Sequence, residues 1–297
     1  MTCWHSELTT VFERIRPICK SARLYLWPAA ALNAFAVSLA LGVPLVPGSL
    51  VSASLCLLAS FGFVLNDLWD RNVDRMNTAG RLENANRTTC RLAWGSVALL
   101  LAGGLSLAAL AGWRPFLLAL TVATGLTLYT ILVRRVLLAA TLLSAILGTS
   151  PLWGPIILWE TSVSQRVWLL LLSICLMFAA REILLDVKDE VGDRLALRHT
   201  FATIFGSRIA TKVAVLIVLC STGALLRVVY QATGGLSITA ASFLWSTTAL
   251  FLYLTLWPAL VLTATAQNSP QPIRAYITRS RAGMLVLSVL VSILLQR

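Results

Sequence analysis

The chain is short of carboxylate. Only 12 Asp and Glu stand against 24 Lys and Arg in 297 residues, and charged residues of both signs make up 12% of the sequence. With 58% hydrophobic residues and a mean hydropathy of +0.82, a soluble domain is excluded, because its long apolar helices would lack a polar face. Cysteine is too scattered for a metal site: Cys3, Cys19, Cys56, Cys90, Cys175 and Cys220 include no C-x-x-C pair. Most fall in or beside apolar runs and read as small apolar side chains. There is no lysine-rich tail despite the net charge of +12. The basic residues sit in short connections between apolar runs, which excludes nucleic acid and favours anionic lipid headgroups and a phosphorylated substrate. A small-residue cleavage site before a soluble domain is also missing, and Glu7 and Glu13 interrupt the basic N-terminus, so no cleaved leader is expected.

What the chain has is apolar runs of about 20 residues, the length that crosses a bilayer as a helix. The expected fold is therefore an all-α polytopic membrane protein with nine spans: Leu24 to Leu45, Ser49 to Leu65, Leu92 to Gly112, Pro115 to Val133, Val136 to Trp159, Val167 to Leu185, Ile209 to Tyr230, Leu236 to Leu262 and Ala282 to Leu295. Residues 1–23 form a cytoplasmic N-terminal segment in which Leu8, Val11, Phe12, Ile15 and Ile18 make a helical stripe, read either as a short helix along the membrane surface or as a basic tail that only sets topology. Residues 24–297 form a single transmembrane domain. Arg71, Arg75, Arg81, Arg87, Arg91, Arg134, Arg135, Lys188, Arg194, Arg198, Arg208, Arg274, Arg279 and Arg281 all fall in connections on one side. The positive-inside rule places that side, with the N-terminus, in the cytoplasm. Trp27, Trp94, Trp113, Trp159, Trp168 and Trp257 lie near span ends as interfacial anchors. Gly148, Pro151, Gly154 and Pro155 interrupt the fifth span, either as a packing kink or where a cavity widens.

Six of the 12 acidic residues are concentrated in two places. Asn66-Asp67-Leu68-Trp69-Asp70-Arg71-Asn72-Val73-Asp74 follows the second apolar run, and if the helix continues, Asp67, Asp70 and Asp74 share one face at i, i+3 and i+7. Asp186, Asp189 and Asp193 repeat the spacing after the run ending at Leu185. Both clusters fall on the same side of the membrane. Like charges so close require cations, and oxygen ligands suit Mg²⁺ bridging to a diphosphate. An apolar cavity opening from such a site would hold an isoprenoid tail and shield the reacting allylic carbon from water.

The first stretch matches N-D-x-x-D-x-x-x-D, and Arg181-Glu182-Ile183-Leu184-Leu185-Asp186-Val187-Lys188-Asp189-Glu190-Val191-Gly192-Asp193 with Thr200 follows the second acidic motif of the same family. Tyr129 with Arg134-Arg135, at a spacing one residue longer, resembles an intervening Y-x-x-x-[KR]-R-like segment. On these motifs the chain resembles the UbiA superfamily of intramembrane prenyltransferases. The resemblance implies a nine-helix bundle around a central cavity, Mg²⁺ as cofactor, and transfer of a prenyl group from a prenyl diphosphate donor. It implies a metal set of Asn66, Asp70, Asp74, Asp186, Asp189 and Asp193, and a catalytic set of Asp67, Asp70, Asp74, Asp189, Asp193 and Tyr129. Arg134, Arg135 and Lys188 would contact diphosphate, and Tyr129 would stabilise positive charge near the allylic carbon.

The resemblance has departures. Thr78-Ala79-Gly80-Arg81-Leu82-Glu83 replaces a K-P-x-R-P-like segment, Leu197 stands where relatives often carry glycine, and Phe201-Ala202 replaces a Leu-Pro pair. No acceptor subgroup is assigned by these residues. The leading expectation is transfer to an aromatic acceptor, in quinone or specialised-metabolite synthesis, in a bacterial cytoplasmic membrane with the active site on the cytoplasmic face. The alternatives are transfer to a non-aromatic lipid or polyol, phosphoribosyl transfer to a polyprenyl phosphate, and transport of a cation or lipid phosphate.

Overall fold

The computed structural model describes residues 13–76, 82, 84–131, 136–159, 164–234, 236–264 and 271–295. Among the described residues the regular structure is helical throughout. A first helix, α1, covers residues 13–21. It is followed by a 3-10 turn (Leu24–Leu26) and by α2 (Trp27–Ala40), α3 (Leu45–Trp69), α4 (Arg71–Met76), α5 (Arg87–Ala111), α6 (Trp113–Ile131), α7 (Leu137–Gly148) and α8 (Ser150–Trp159). Next come α9 (Gln165–Leu195), α10 (Phe201–Phe205), α11 (Ser207–Thr233), α12 (Ile238–Ala264) and α13 (Gln271–Leu295). Among the described residues six helices, α3, α5, α6, α9, α11 and α12, are long and apolar enough to cross a membrane. The bent pair α7–α8 makes a seventh if counted as one span. The fold is thus all-α and polytopic.

Several expected boundaries shift. The first apolar run does not continue to Leu45: Gly42 turns the chain at φ +71°, a conformation that glycine adopts without a Cβ clash. The 14 residues of α2 extend only about 21 Å. In compensation α3 starts at Leu45 rather than Ser49, and α13 starts at Gln271 rather than Ala282. The fifth run is broken by a 66° bend between α7 and α8. Thr149 Oγ1 donates to the Ala145 and Ile146 carbonyls at 2.9 and 3.0 Å, and Trp153 Nε1 donates to Ile146 at 2.8 Å. Backbone oxygens released by the bend therefore keep partners in an apolar setting. A Cβ at Gly148 would lie 2.8 Å from the Phe178 ring, so glycine admits α9 at the bend.

Helix packing uses small residues where backbones approach. On α5, a Cβ at Gly104 would lie 2.9 Å from Leu58 of α3, and Ser54 Oγ donates to the Gly104 carbonyl at 2.7 Å. Interhelical bonds of this kind contribute on the order of 0.6 kcal/mol each in a membrane. One apolar core joins α3, α5 and α6 around Leu58, Phe61 and Val122. Others join α8, α9, α11, α12 and α13 around Ile156, Leu170 and Leu290, and α9, α10, α11 and α13 around Leu184, Val218 and Tyr276. The functional cavity lies between α3 and α9.

Candidate active site

The first acidic cluster sits on a helix break. α3 ends at Trp69, and Asp70 takes φ −88°, ψ 3° as its cap, so the continuous helix expected through Asp74 is interrupted. The spacing survives because the Asp70 N–H donates to Asn66 and the Asp74 N–H to Asp70, both at 2.9 Å. Asp67 and Asp70 are buried, with 4% and 2% exposure. Arg71 donates to the carbonyls of Leu82, at 3.1 Å, and Ala85, tying the following connection to α4.

The second cluster rides on an unbroken helix. α9 has 31 residues, about 46 Å, which exceeds a hydrocarbon core of about 30 Å. Its last turns carry Asp186, Lys188, Asp189 and Asp193 beyond the apolar segment. The helix ends in a Schellman turn: the Arg198 N–H donates to the Asp193 carbonyl at 2.9 Å and the Leu197 N–H to Arg194 at 3.2 Å. Leu197 adopts φ +54°, the left-handed conformation normally given to glycine at this position, which explains physically why glycine is usual there. The turn directs Arg198 back across the cavity mouth. Its Nη1 lies 3.2 Å from Asp193 Oδ1 and its Nη2 bonds Asp70 Oδ1, so one guanidinium bridges the two clusters. Lys188 pairs with Asp189 at 3.1 Å.

A cavity of about 750 Å³ opens between the clusters. Asn66, Asp67, Asp70, Asp74, Tyr129, Asp186, Lys188, Asp189 and Asp193 all line it, as do Arg23 and Arg198. Arg134 and Arg135 lie outside the described residues. The wall changes with depth along α3 and α9. Carboxylates and cations form the rim, Tyr129, Ser144, Arg181 and Glu182 follow, and Leu55, Leu147, Leu152 and Phe178 form an apolar floor. Arg23 and Arg198 carry cationic charge into the site; Arg23 was not singled out from the sequence, and Arg198 was counted only as a topological charge. Arg23 lies 3.8 Å from Asp67 and 4.0 Å above the Phe63 ring. The sequence signal for Arg198 was its position at the end of the second motif; Arg23 had none.

Asp74, on α4 outside the spans, is pushed up to about 6 by burial first and then by Asp67 and Asp189, against the opposing charges of Arg198 and Lys188. Carboxylates from α3, α4 and α9 thus repel one another across the mouth. The donor set is entirely hard oxygen and includes the buried Asn66 Oδ1, which has no hydrogen-bond partner among the described residues. Among the described residues no three carboxylate, histidine or cysteine side chains converge on one point as a closed metal cage. The all-oxygen donor set fits Mg²⁺, which usually takes one or two carboxylates and completes its shell with phosphate and water.

The UbiA prenyltransferase family model matches residues 25–277. The chain belongs to this family. The UbiA-family chain is 31% identical over 244 residues to a digeranylgeranylglyceryl phosphate synthase of Methanothrix thermoacetophila, covering 80% of this chain and 87% of that one. It is 29% identical over 204 residues to the synthase of that name from Metallosphaera sedula, covering 67% and 72%. Its fold matches a UbiA homologue from Archaeoglobus fulgidus bound to GPP and Mg²⁺, with a TM-score of 0.68 at 18% identity over 93% of this chain and 99% of the other. The protein is a UbiA-family prenyltransferase. Two expectations are corrected. The aromatic acceptor is overturned by relatives named as synthases of digeranylgeranylglyceryl phosphate, a compound with no aromatic ring. The bacterial membrane is overturned because these relatives come from archaea; the integral membrane character stands.

Proposed function

We propose that this prenyltransferase moves a prenyl group from an allylic diphosphate to a hydroxyl of a glycerophosphate lipid, forming an ether and releasing diphosphate with Mg²⁺ as cofactor. The observation that carries this reading is the meeting of two acidic clusters over one cavity with an apolar floor. The names of the relatives supply the acceptor class. On this reading α2, α3, α5, α6, the bent α7–α8, α9, α11, α12 and α13 are nine crossings of one domain spanning residues 24–297, after an N-terminal segment of residues 1–23.

Asn66, Asp70 and Asp74 on one side, with Asp186, Asp189 and Asp193 on the other, hold Mg²⁺, and Asp67 supports the first set. Bound there, the metal neutralises charge on the leaving diphosphate. Lys188 and Arg198 bind diphosphate oxygens, and Arg134 and Arg135 are assigned the same role. Tyr129 lines the cavity, and its ring is assigned to stabilise positive charge on the allylic carbon as its C–O bond breaks. The apolar floor holds the tail and excludes water that would capture that carbon.

The test uses purified protein in lipid nanodiscs with geranyl, farnesyl and geranylgeranyl diphosphates. A monoprenyl glyceryl phosphate and an aromatic carboxylate serve as competing acceptors, with Mg²⁺ or EDTA. Product mass identifies the acceptor. The expected product is a Mg²⁺-dependent diprenyl glyceryl phosphate, reduced about 10²-fold or more by Asp70→Asn or Asp189→Asn. Prenylation of the aromatic acceptor alone, or undiminished product in both variants, refutes the reading.

A further inference from the structure

Seven carboxylates line the cavity among the described residues, and six belong to the two clusters; the seventh is Glu182. On α9 it precedes Asp186 by four residues and Asp189 by seven, placing it about 6 and about 10 Å farther toward the floor on the same helix face. A carboxylate at that depth is costly unless it is paired or used. Glu182 Oε1 accepts from Arg181 Nη1 at 2.8 Å, while Oε2 makes no hydrogen bond among the described residues. Both side chains are largely buried, at 13% and 18% exposure. Tyr129, near the end of α6, and Ser144 of α7 line the same cavity. On the proposed reading the diphosphate is held at the rim and the tail at the floor, so the reacting carbon falls at the level between them, where Glu182 and Tyr129 both line the cavity.

We propose that Glu182 is the general base that takes the proton from the acceptor hydroxyl. This rests on transfer to a hydroxyl, because an alcohol oxygen that becomes an ether must lose its proton. The acceptor oxygen uses a lone pair to form the bond to the allylic carbon, and the carbon–diphosphate bond breaks with its electron pair leaving on diphosphate. The O–H electron pair stays on the ether oxygen and the proton passes to a Glu182 carboxylate oxygen. Arg181 fixes Oε1 and so orients the carboxylate edge toward the acceptor.

The experiment compares wild type with Glu182→Gln, Glu182→Asp and Glu182→Ala in nanodiscs containing Mg²⁺, a prenyl diphosphate and the monoprenyl glyceryl phosphate. Ether product, prenyl alcohol released by water, and binding of a thiolo-diphosphate donor analogue are measured. Glu182→Gln is expected to lower ether formation about 10²-fold or more, with donor binding within about threefold of wild type and a larger share of donor diverted to prenyl alcohol. Glu182→Asp retains more transfer than Glu182→Gln, and added formate restores transfer to Glu182→Ala. The assignment is overturned if Glu182→Gln transfers within about threefold of wild type. It is equally overturned if all three variants lose donor binding in step with transfer and formate restores nothing, the pattern of a structural role. Wild type that makes no ether with any hydroxyl acceptor refutes the transfer reading itself, and this assignment with it.

Discussion

The two acidic clusters share one spacing in sequence and stand in different physical settings. Asp67 and Asp70 are nearly closed off at the end of α3, and their cationic neighbours, Arg23 and Arg198, come from distant parts of the chain. Asp186 and Asp189 lie half-buried on the projecting end of α9, and Lys188 pairs with Asp189 from the adjoining position. Identical i, i+3, i+7 spacing therefore fixes which side chains share a helix face and leaves open how dry that face is. The first cluster is buried at Asp67 and Asp70 and half-buried at Asp74, and the length of α9 lifts most of the second. Asp193, whose carboxylate is reached by Arg198, joins the buried side of this contrast.

The sharpest way to break the contrast is to remove the cation that joins the clusters. Arg198→Met leaves Asp70 and Asp193 buried without that guanidinium, and breaking a buried pair from one side costs about 3–5 kcal/mol. Thermal unfolding in detergent should show a large loss of stability without metal and a smaller one with Mg²⁺, which replaces the missing charge. An equal loss in both conditions would mean that Arg198 and Mg²⁺ do not share the same carboxylates.

A smaller effect should appear with pH. Asp74 is held near 6 in the fold, against about 3.9 when unfolded. The folded state therefore binds the proton more tightly, and its contribution to stability is full below about pH 4 and lost as pH rises through about 6. Metal-free wild type should lose Tm over that interval relative to Asp74→Asn, and Mg²⁺ should flatten the difference. Parallel Tm curves for the two proteins would argue against the repulsion from Asp67 and Asp189.

The smallest expected effect lies at the end of the second cluster. Leu197→Gly should stabilise the protein by about 0.5–1 kcal/mol by removing the Cβ from a left-handed residue, with prenyl transfer unchanged. A destabilised Leu197→Gly protein would show that the exposed leucine side chain contributes more than its backbone strain costs.

Much of the site was legible because the signals were local. A chain with 12 acidic residues that places six of them at repeated helical spacing draws attention to those two stretches, and the six line one cavity. Arg198 was counted only as a topological charge, since a Schellman turn and a contact with Asp70, far away in the chain, cannot be read from a run of basic residues. The short α2 was hidden for a related reason: hydropathy continues through Gly42, and the turn there is a backbone event with no apolar signature. The acceptor class was not in the acidic motifs at all, because metal and diphosphate chemistry are indifferent to what attacks the allylic carbon.

The sequence by itself determined that the chain is a bundle of membrane helices with two carboxylate clusters at one end, because hydropathy and helical spacing are properties of neighbouring residues. Only the tertiary structure decided that α3 breaks at Asp70, that Arg198 spans both clusters, and that Glu182 stands between the charged rim and the apolar floor. Those features depend on which helices meet and at what depth. Packing sets them through the burial and pairing of charges that the order of residues does not bring together.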